Sequence, residues 1–272
     1  MFVPKLVATD LDGTLLRSDL TVSDRTLETF ARLERHHIGL VFVTGRPWRW
    51  MEPVLARTGR RGSVVCANGA VVADGRSGAI LRRWAISPET LRRVTSDVRK
   101  AFPDAVFAVE SGRQMMHEPI YPVRAGLGRT DQYVVEYDEL VSVSAEKLLI
   151  RAPGVEPPEL WATCAGLFDG VATPTHSGFR ELIEVSAAGV TKATGLAWVA
   201  DRCGVDPASV LAFGDMPNDI PMLCWAGRGV VVAGAHPEAA AVAHTVTTGN
   251  DADGVATYLD ALLDAAEAAA PR

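Results

Sequence analysis

The sequence predicts an α/β protein in which a doubly wound parallel-sheet core carries an inserted α+β cap domain. Three observations lead there. Short apolar runs alternate with helical spacing over residues 1–83 and again over 186–272, the pattern of a parallel sheet with crossover helices. Residues 84–185 instead group strand-like runs with only a few helices, which suits a separate, largely antiparallel sheet. Finally, carboxylates, hydroxyls and glycines collect directly after the apolar runs of the outer segments. Open α/β sheets bind their ligands beyond the carboxyl ends of the strands.

The elements follow in order. Leu6-Val7-Ala8 is a short buried strand that ends at Asp10-Leu11-Asp12-Gly13-Thr14. Residues 15–21 suit a loop or small hairpin over that strand tip. Asp24 caps a helix to about His36, and Gly39 ends it before the strand Leu40-Val41-Phe42-Val43. Thr44-Gly45-Arg46 closes this strand, and Pro47 starts the next helix. Val64-Val65-Cys66 is a third strand, and Asp74-Gly75 turns a hairpin between Val71-Val72-Ala73 and Ala79-Ile80-Leu81.

In the insertion, Ser87-Pro88 opens a helix to about Ala101. Strands are expected at 105–110, 114–117, 133–137, 146–151, 170–175 and 181–185, with a helix at 159–168. The core resumes with a helix at 191–203, a strand at 210–213, a helix at 218–223 and a strand at 230–232. A helix at 237–243 and a short strand at Thr245-Val246 precede a closing amphipathic helix carrying Val255, Leu259, Leu262, Leu263 and Ala266.

A chain of 272 residues can hold one large domain or two of ordinary size. Its 48% hydrophobic and 22% charged residues are those of a soluble globular protein. A net charge of −6 with no stripe of Lys or Arg argues against a nucleic-acid partner. No stretch of about 18 apolar residues suggests a membrane partner. Asp10 interrupts the apolar N-terminus, so no secretory signal is expected and the chain is placed in the cytoplasm. Cys66, Cys164, Cys203 and Cys224 lack CxxC spacing and read as reduced core residues. Oligomeric state is left open.

Four clusters carry chemistry. Asp10 and Asp12 stand at a strand tip where Gly13 permits a sharp turn. Such carboxylates repel each other unless a cation is present, and hard oxygens beside a substrate phosphate suit Mg²⁺. The ordinary alternative is an Asx turn. Thr44-Gly45-Arg46 offers a hydroxyl, a flexible amide and a helix start to an anion. Lys192 opens a helix after Gly189-Val190-Thr191; alone it would read as a surface lysine, yet a phosphate dianion needs such a cation. Gly214-Asp215-Met216-Pro217-Asn218-Asp219 follows another apolar strand, with Asp219 in the first helical turn near Asp215.

Together, and in this order, the clusters resemble the four motifs of the haloacid dehalogenase superfamily of phosphotransferases. Asp10-Leu11-Asp12-Gly13-Thr14 looks like the first, Thr44-Gly45-Arg46 the second, Lys192 the third and Gly214-Asp215 with Asn218-Asp219 the fourth. The long insertion and Asn68-Gly69-Ala70 are similar to the Cof-like branch with its large α+β cap. Lys192-Ala193 departs from many relatives, which carry Gly directly after the Lys.

The resemblance implies a Rossmann-like core and Mg²⁺-dependent hydrolysis of a small phosphorylated metabolite, with sugar phosphates the expected class. Asp10 would attack phosphorus to form an aspartyl-phosphate, and Asp12 would act as general acid and base. Thr44, Gly45, Lys192 and Asn218 would hold the phosphate oxygens. Asp10, Asp12 (through its backbone carbonyl), Asp215 and Asp219 would hold the metal. Arg46 is expected to be structural or supporting. His117, Arg124, Arg129, His176 and Arg180 could meet substrate from the insertion, although each reads first as a surface or loop residue. The insertion is expected to move about connections near 83–85 and 186–189 and to select the substrate. A phosphomutase acting on hexose phosphates would share Asp10 and Asp12. A non-catalytic phosphometabolite-binding regulator is the alternative from another class; the retention of Asp10, Asp12, Lys192 and Asp215 speaks against it.

Overall fold

The structure is a computed structural model that describes residues 2–123, 131–176 and 182–269. Its strands are β1 (Leu6–Thr9), β2 (Gly39–Val43), β3 (Ser63–Cys66), β4 (Val71–Asp74) and β5 (Ile80–Arg83), then β6 (Val106–Ser111), β7 (Gln114–His117), β8 (Gln132–Val134), β9 (Lys147–Arg151), β10 (Ala172–Thr175) and β11 (Ile183–Ala187), and finally β12 (Val210–Gly214), β13 (Arg228–Val232) and β14 (Thr245–Thr247). The helices are α1 (Asp24–Arg35), α2 (Glu52–Arg57), α3 (Pro88–Ala101), α4 (Tyr137–Leu140), α5 (Pro157–Leu167), α6 (Lys192–Arg202), α7 (Ile220–Trp225), α8 (Pro237–Val242) and α9 (Gly254–Ala269).

The larger sheet has the order β14-β13-β12-β1-β2-β3-β4-β5. It is parallel from β14 to β3 and ends in an antiparallel hairpin. From β1 the chain steps outward through β2 and β3, and from β12 it steps the other way through β13 and β14. The β1/β12 boundary is therefore the topological switch point, where a crevice opens at the strand tips. Thr9 pairs with both Phe213 and Phe42, which brings the tips of β12, β1 and β2 level.

Both faces of this sheet are covered, which is why its strands read as continuous apolar runs. Val7, Phe42, Val64 and Phe213 pack with Phe30 and Leu33 of α1 and Leu259 of α9. Leu6, Ala8, Val65 and Ala212 pack on the other side with Leu196 and Val199 of α6 and Leu223 of α7.

The smaller sheet has the order β10-β11-β9-β6-β7-β8 and is antiparallel except between β7 and β8. One face is buried under α3 and α5 through Leu91, Val94, Leu160 and Cys164. Strand alternation puts Glu110, Lys147 and Glu184 on the other face, where they meet the strand tips of the larger sheet. Lys147 reaches the Gly45 carbonyl oxygen at 2.6 Å, and Arg49 forks onto both Glu110 oxygens at 2.8 Å.

Several expectations need correction. Ser23, not Asp24, caps α1 by accepting the Thr26 N–H, and Asp24 becomes the first helical residue. Pro47 leads into a single 3₁₀ turn, and α2 begins only at Glu52. The strand expected to reach Tyr137 ends at Val134; Tyr137 opens α4 and its hydroxyl lies 2.9 Å from that of Thr95. The expected connection at 186 is still strand, because β11 pairs with β10 as far as Ala187. Cys66 and Cys164 are buried as expected, but Cys203, capping α6, and Cys224, on α7, are exposed. His117 and His176 are buried rather than superficial: His117 alternates to an inner face of β7, and the His176 ring stands edge-on to Trp161 at 4.5 Å. Arg124, Arg129, Arg180 and Glu181 lie outside the described residues. Among the described residues no helix is long and apolar enough to cross a membrane.

Candidate active site

Asp10 follows β1 directly, and its N–H donates to the Phe213 carbonyl of β12 at 2.9 Å. The first cluster is thus tied across the switch point. Gly13 has φ +84°, and a Cβ there would stand 2.5 Å from Asp215 Oδ2. Only glycine lets the turn pass so close to the fourth cluster. Thr14 completes the contact by donating its hydroxyl to Asp215 Oδ1 at 2.6 Å.

Lys192 owes its position to how closely α6 approaches β3. A Cβ on Gly195 would lie 2.4 Å from the Val65 side chain, and one on Gly69 would lie 1.8 Å from the Thr191 carbonyl oxygen. Thr191 and Thr194 cap the helix reciprocally. The first helical residue then projects inward. Lys192 is 1% exposed, and its ammonium donates to Asp10 Oδ1 at 2.6 Å and Asp219 Oδ1 at 2.5 Å. Burial alone would lower its pKa, but Asp10 and Asp219 outweigh that and hold the ammonium above its usual range.

The carboxylate oxygens of Asp10, Asp215 and Asp219 lie within 4.8 Å of one another. Burial lifts the Asp10 carboxyl well above its ordinary value, against Lys192 and with help from Asp219 and Asp215. Burial and the Asp219 charge likewise push Asp215 up to about 6. Hard oxygen donors so crowded fit a divalent cation such as Mg²⁺. Asp219 is committed elsewhere: Oδ1 takes Lys192, and Oδ2 accepts the Asp215 and Met216 N–H groups at 3.0 and 2.9 Å. A cation would therefore fall mainly to Asp10 and Asp215, with Asp219 holding Lys192 in place. The Asp12 carboxylate stands outside the group, half-exposed and gripped by Arg46 at 2.7 and 2.5 Å. Anything Asp12 gives a metal must come from its main chain.

A pH prediction follows from Asp215. Its folded pKa exceeds the unfolded value of 3.8, so between about 4 and 6 the metal-free fold binds the extra proton and loses stability as pH rises. A bound cation removes that penalty. The rise in Tm on adding Mg²⁺ should therefore be larger at pH 7 than at pH 5, and a pH-independent rise would contradict the assignment.

Thr44 is fully buried; its Oγ1 accepts the Arg46 N–H at 3.0 Å, which leaves the hydroxyl proton for another acceptor. The Thr44 carbonyl accepts the Asn68 N–H at 3.1 Å, so the Gly45 N–H of the same trans peptide faces the opposite way. Asn218 is 7% exposed and donates to Asn68 Oδ1 at 3.2 Å. A Cβ on Gly45 would lie 3.8 Å from Asn218 Nδ2, which brings the second and fourth clusters together. Sequence reasoning missed Asn68, Lys147 and Glu184. Asn68-Gly69-Ala70 entered only as part of the family resemblance, with no site role, and nothing in it named the partners.

In this α/β core the carboxylates of Asp10, Asp215 and Asp219 and the Lys192 ammonium converge at one switch point. The family model described as haloacid dehalogenase-like hydrolase matches residues 7–259. The chain belongs to that family. It is 28% identical over 94% of its length to the 5-amino-6-(5-phospho-D-ribitylamino)uracil phosphatase YitU of Bacillus subtilis (strain 168), covering 96% of that protein. It is 29% identical over 86% of its length to an HMP-PP phosphatase of Serratia proteamaculans (strain 568), covering 85% of it. A solved phosphatase of the haloalkanoate superfamily from Bacteroides thetaiotaomicron superposes with TM-score 0.82 at 25% identity, covering 95% of both chains. The enzyme class is phosphoric monoester hydrolase.

Proposed function

We propose that the chain hydrolyses a small phosphorylated metabolite in a Mg²⁺-dependent reaction through an aspartyl-phosphate on Asp10. The carrying observation is the Lys192 ammonium bridging Asp10 and Asp219, with Asp215 in the same group. Such a constellation can neutralise a phosphate dianion beside a carboxylate nucleophile, the main task in phosphoryl transfer. An Asp10 oxygen would bond to phosphorus as the ester P–O bond breaks, and Asp12 would give its proton to the departing oxygen. Water would then attack phosphorus, Asp12 would take its proton, and Asp10 would leave as carboxylate with release of phosphate. Both Asp12 oxygens are occupied by Arg46, so acid–base work requires Asp12 to leave that pair. Thr44, the Gly45 N–H, Lys192 and Asn218 would hold the transferring oxygens. When bound, Mg²⁺ would supply charge neutralisation between nucleophile and phosphoryl group.

The relatives named above act, by their names, on a phosphorylated ribitylaminouracil and on HMP-PP, which favours a small metabolite. Sugar phosphates are the first class to test. The test is a screen of phosphorylated metabolites with Mg²⁺ and with excess chelator. Release of inorganic phosphate should stop on chelation and return with Mg²⁺. Full activity in chelator would contradict the metal assignment.

A further inference from the structure

A buried polar chain joins the inserted sheet to the candidate phosphate pocket. Asn68 sits in a turn where Ala67, Asn68 and Gly69 have φ of 51°, 54° and 103°. Left-handed backbone at a plain alanine is strained and asks for a reason. The turn sets the Asn68 side chain between the two sheets. Its Nδ2 donates to Thr175 Oγ1 of β10 and Glu184 Oε2 of β11, each at 3.1 Å, while its Oδ1 accepts from Asn218 Nδ2. Lys147 of β9 donates to Glu184 and to the Gly45 carbonyl oxygen.

Each link fixes the polarity of the next. An ammonium only donates, and an ionised carboxylate only accepts. Glu184, held by Lys147, therefore demands the NH₂ of Asn68. The Thr175 hydroxyl donates to the Glu184 carbonyl oxygen at 3.4 Å, so its oxygen also accepts from Asn68. Asn68 must then turn its carbonyl oxygen to Asn218, and Asn218 must answer with its own NH₂. That group lies beside Gly45 and keeps one further N–H for an anion. Among the described residues the Asn218 Oδ1 is left buried without a hydrogen-bond partner. A flip of either amide would set like against like.

We propose that Glu184 is a positioning residue for phosphate binding: acting through Asn68, it holds the Asn218 NH₂ on the Gly45 side, and only while the inserted sheet is docked. The inserted sheet then does more than select the leaving group, because inorganic phosphate itself binds more tightly when the sheet is in place. The inference rests on Asn218 and Gly45 being the phosphate contacts proposed above.

The test is calorimetric binding of inorganic phosphate in the presence of Mg²⁺, with kcat for a small aryl phosphate read alongside. Gln can donate as well as accept, so Glu184→Gln should release the amide order and raise the phosphate Kd about tenfold, the size of one hydrogen bond to a charged group. Because Asn218 is among the groups proposed to hold the transferring oxygens, kcat should fall alongside, and Glu184→Asp, which keeps an acceptor-only group, should recover part of both. In an Asn68→Ala background, Glu184→Gln should have no further effect. A purely structural role would instead weaken binding equally in both backgrounds. That result, or an unchanged Kd, would overturn the proposal. If Glu184→Gln does not fold, Thr175→Val removes the other acceptor and carries the same comparison. If the wild-type chain binds phosphate but hydrolyses no ester, the proposed function fails while the binding result still decides the role of Glu184.

Discussion

Asp10→Asn is expected to abolish turnover, a loss on the order of 10⁴-fold or more, while leaving the fold intact. An amide cannot attack phosphorus, and no other carboxylate shares the position directly after β1. The stability arm follows from the sign of the pKa shift. Asp10 is buried, and its carboxyl is held above the ordinary range despite Lys192. Ionised Asp10 therefore disfavours the fold at neutral pH, and the neutral isostere relieves that. The metal-free variant should melt at the wild-type Tm or higher. Steady-state kinetics and a melting curve on the same sample check both arms. Wild-type turnover would remove Asp10 from the chemistry.

Lys192→Met should lose both activity and stability. The ammonium is the shared partner of Asp10 and Asp219, and it is as buried as any core side chain. Removing the cation from a buried group of carboxylates typically costs about 3–5 kcal/mol, because the like charges left behind stay desolvated and lose their shared partner. For a chain of this size that is a fall in Tm of roughly 6–20 °C. Lowering the pH should recover part of it, since Asp10 and Asp215 already hold protons more tightly than free carboxyls. A variant that keeps both Tm and rate would show that Lys192 bridges nothing that matters.

The sheet and its reactive tips were legible because each strand is apolar and each tip breaks abruptly into Asp, Thr or Gly. Asp10, Lys192, Asp215 and Asp219 fall in one crevice, as their positions after strands and at a helix start imply. The one-residue error at α1 has a simple cause: Ser23 and Asp24 are both competent caps, and only the backbone angles choose between them. The polar residues of the inserted sheet were harder. Lys147-Leu148-Leu149-Ile150-Arg151 reads as an apolar strand with a charge at each end, and such end charges ordinarily lie in water. In fact the Lys147 ammonium is covered by Glu184 and the Gly45 carbonyl, so Lys147 is 2% exposed. Local pattern gives the face a residue lies on but not what covers that face. Arg46 shows the same limit, since its partner Asp12 lies far back along the chain and on another strand tip.

Rapid-quench peptide mapping tests the covalent intermediate on Asp10 most directly. Protein mixed with Mg²⁺ and a turned-over phosphate ester, then quenched in acid, should carry one phosphoryl group on the peptide containing Asp10. The group should be released by hydroxylamine, as acyl phosphates are, and be absent from Asp10→Asn. Sustained turnover with no label on that peptide, or with the label on another residue, would contradict the account.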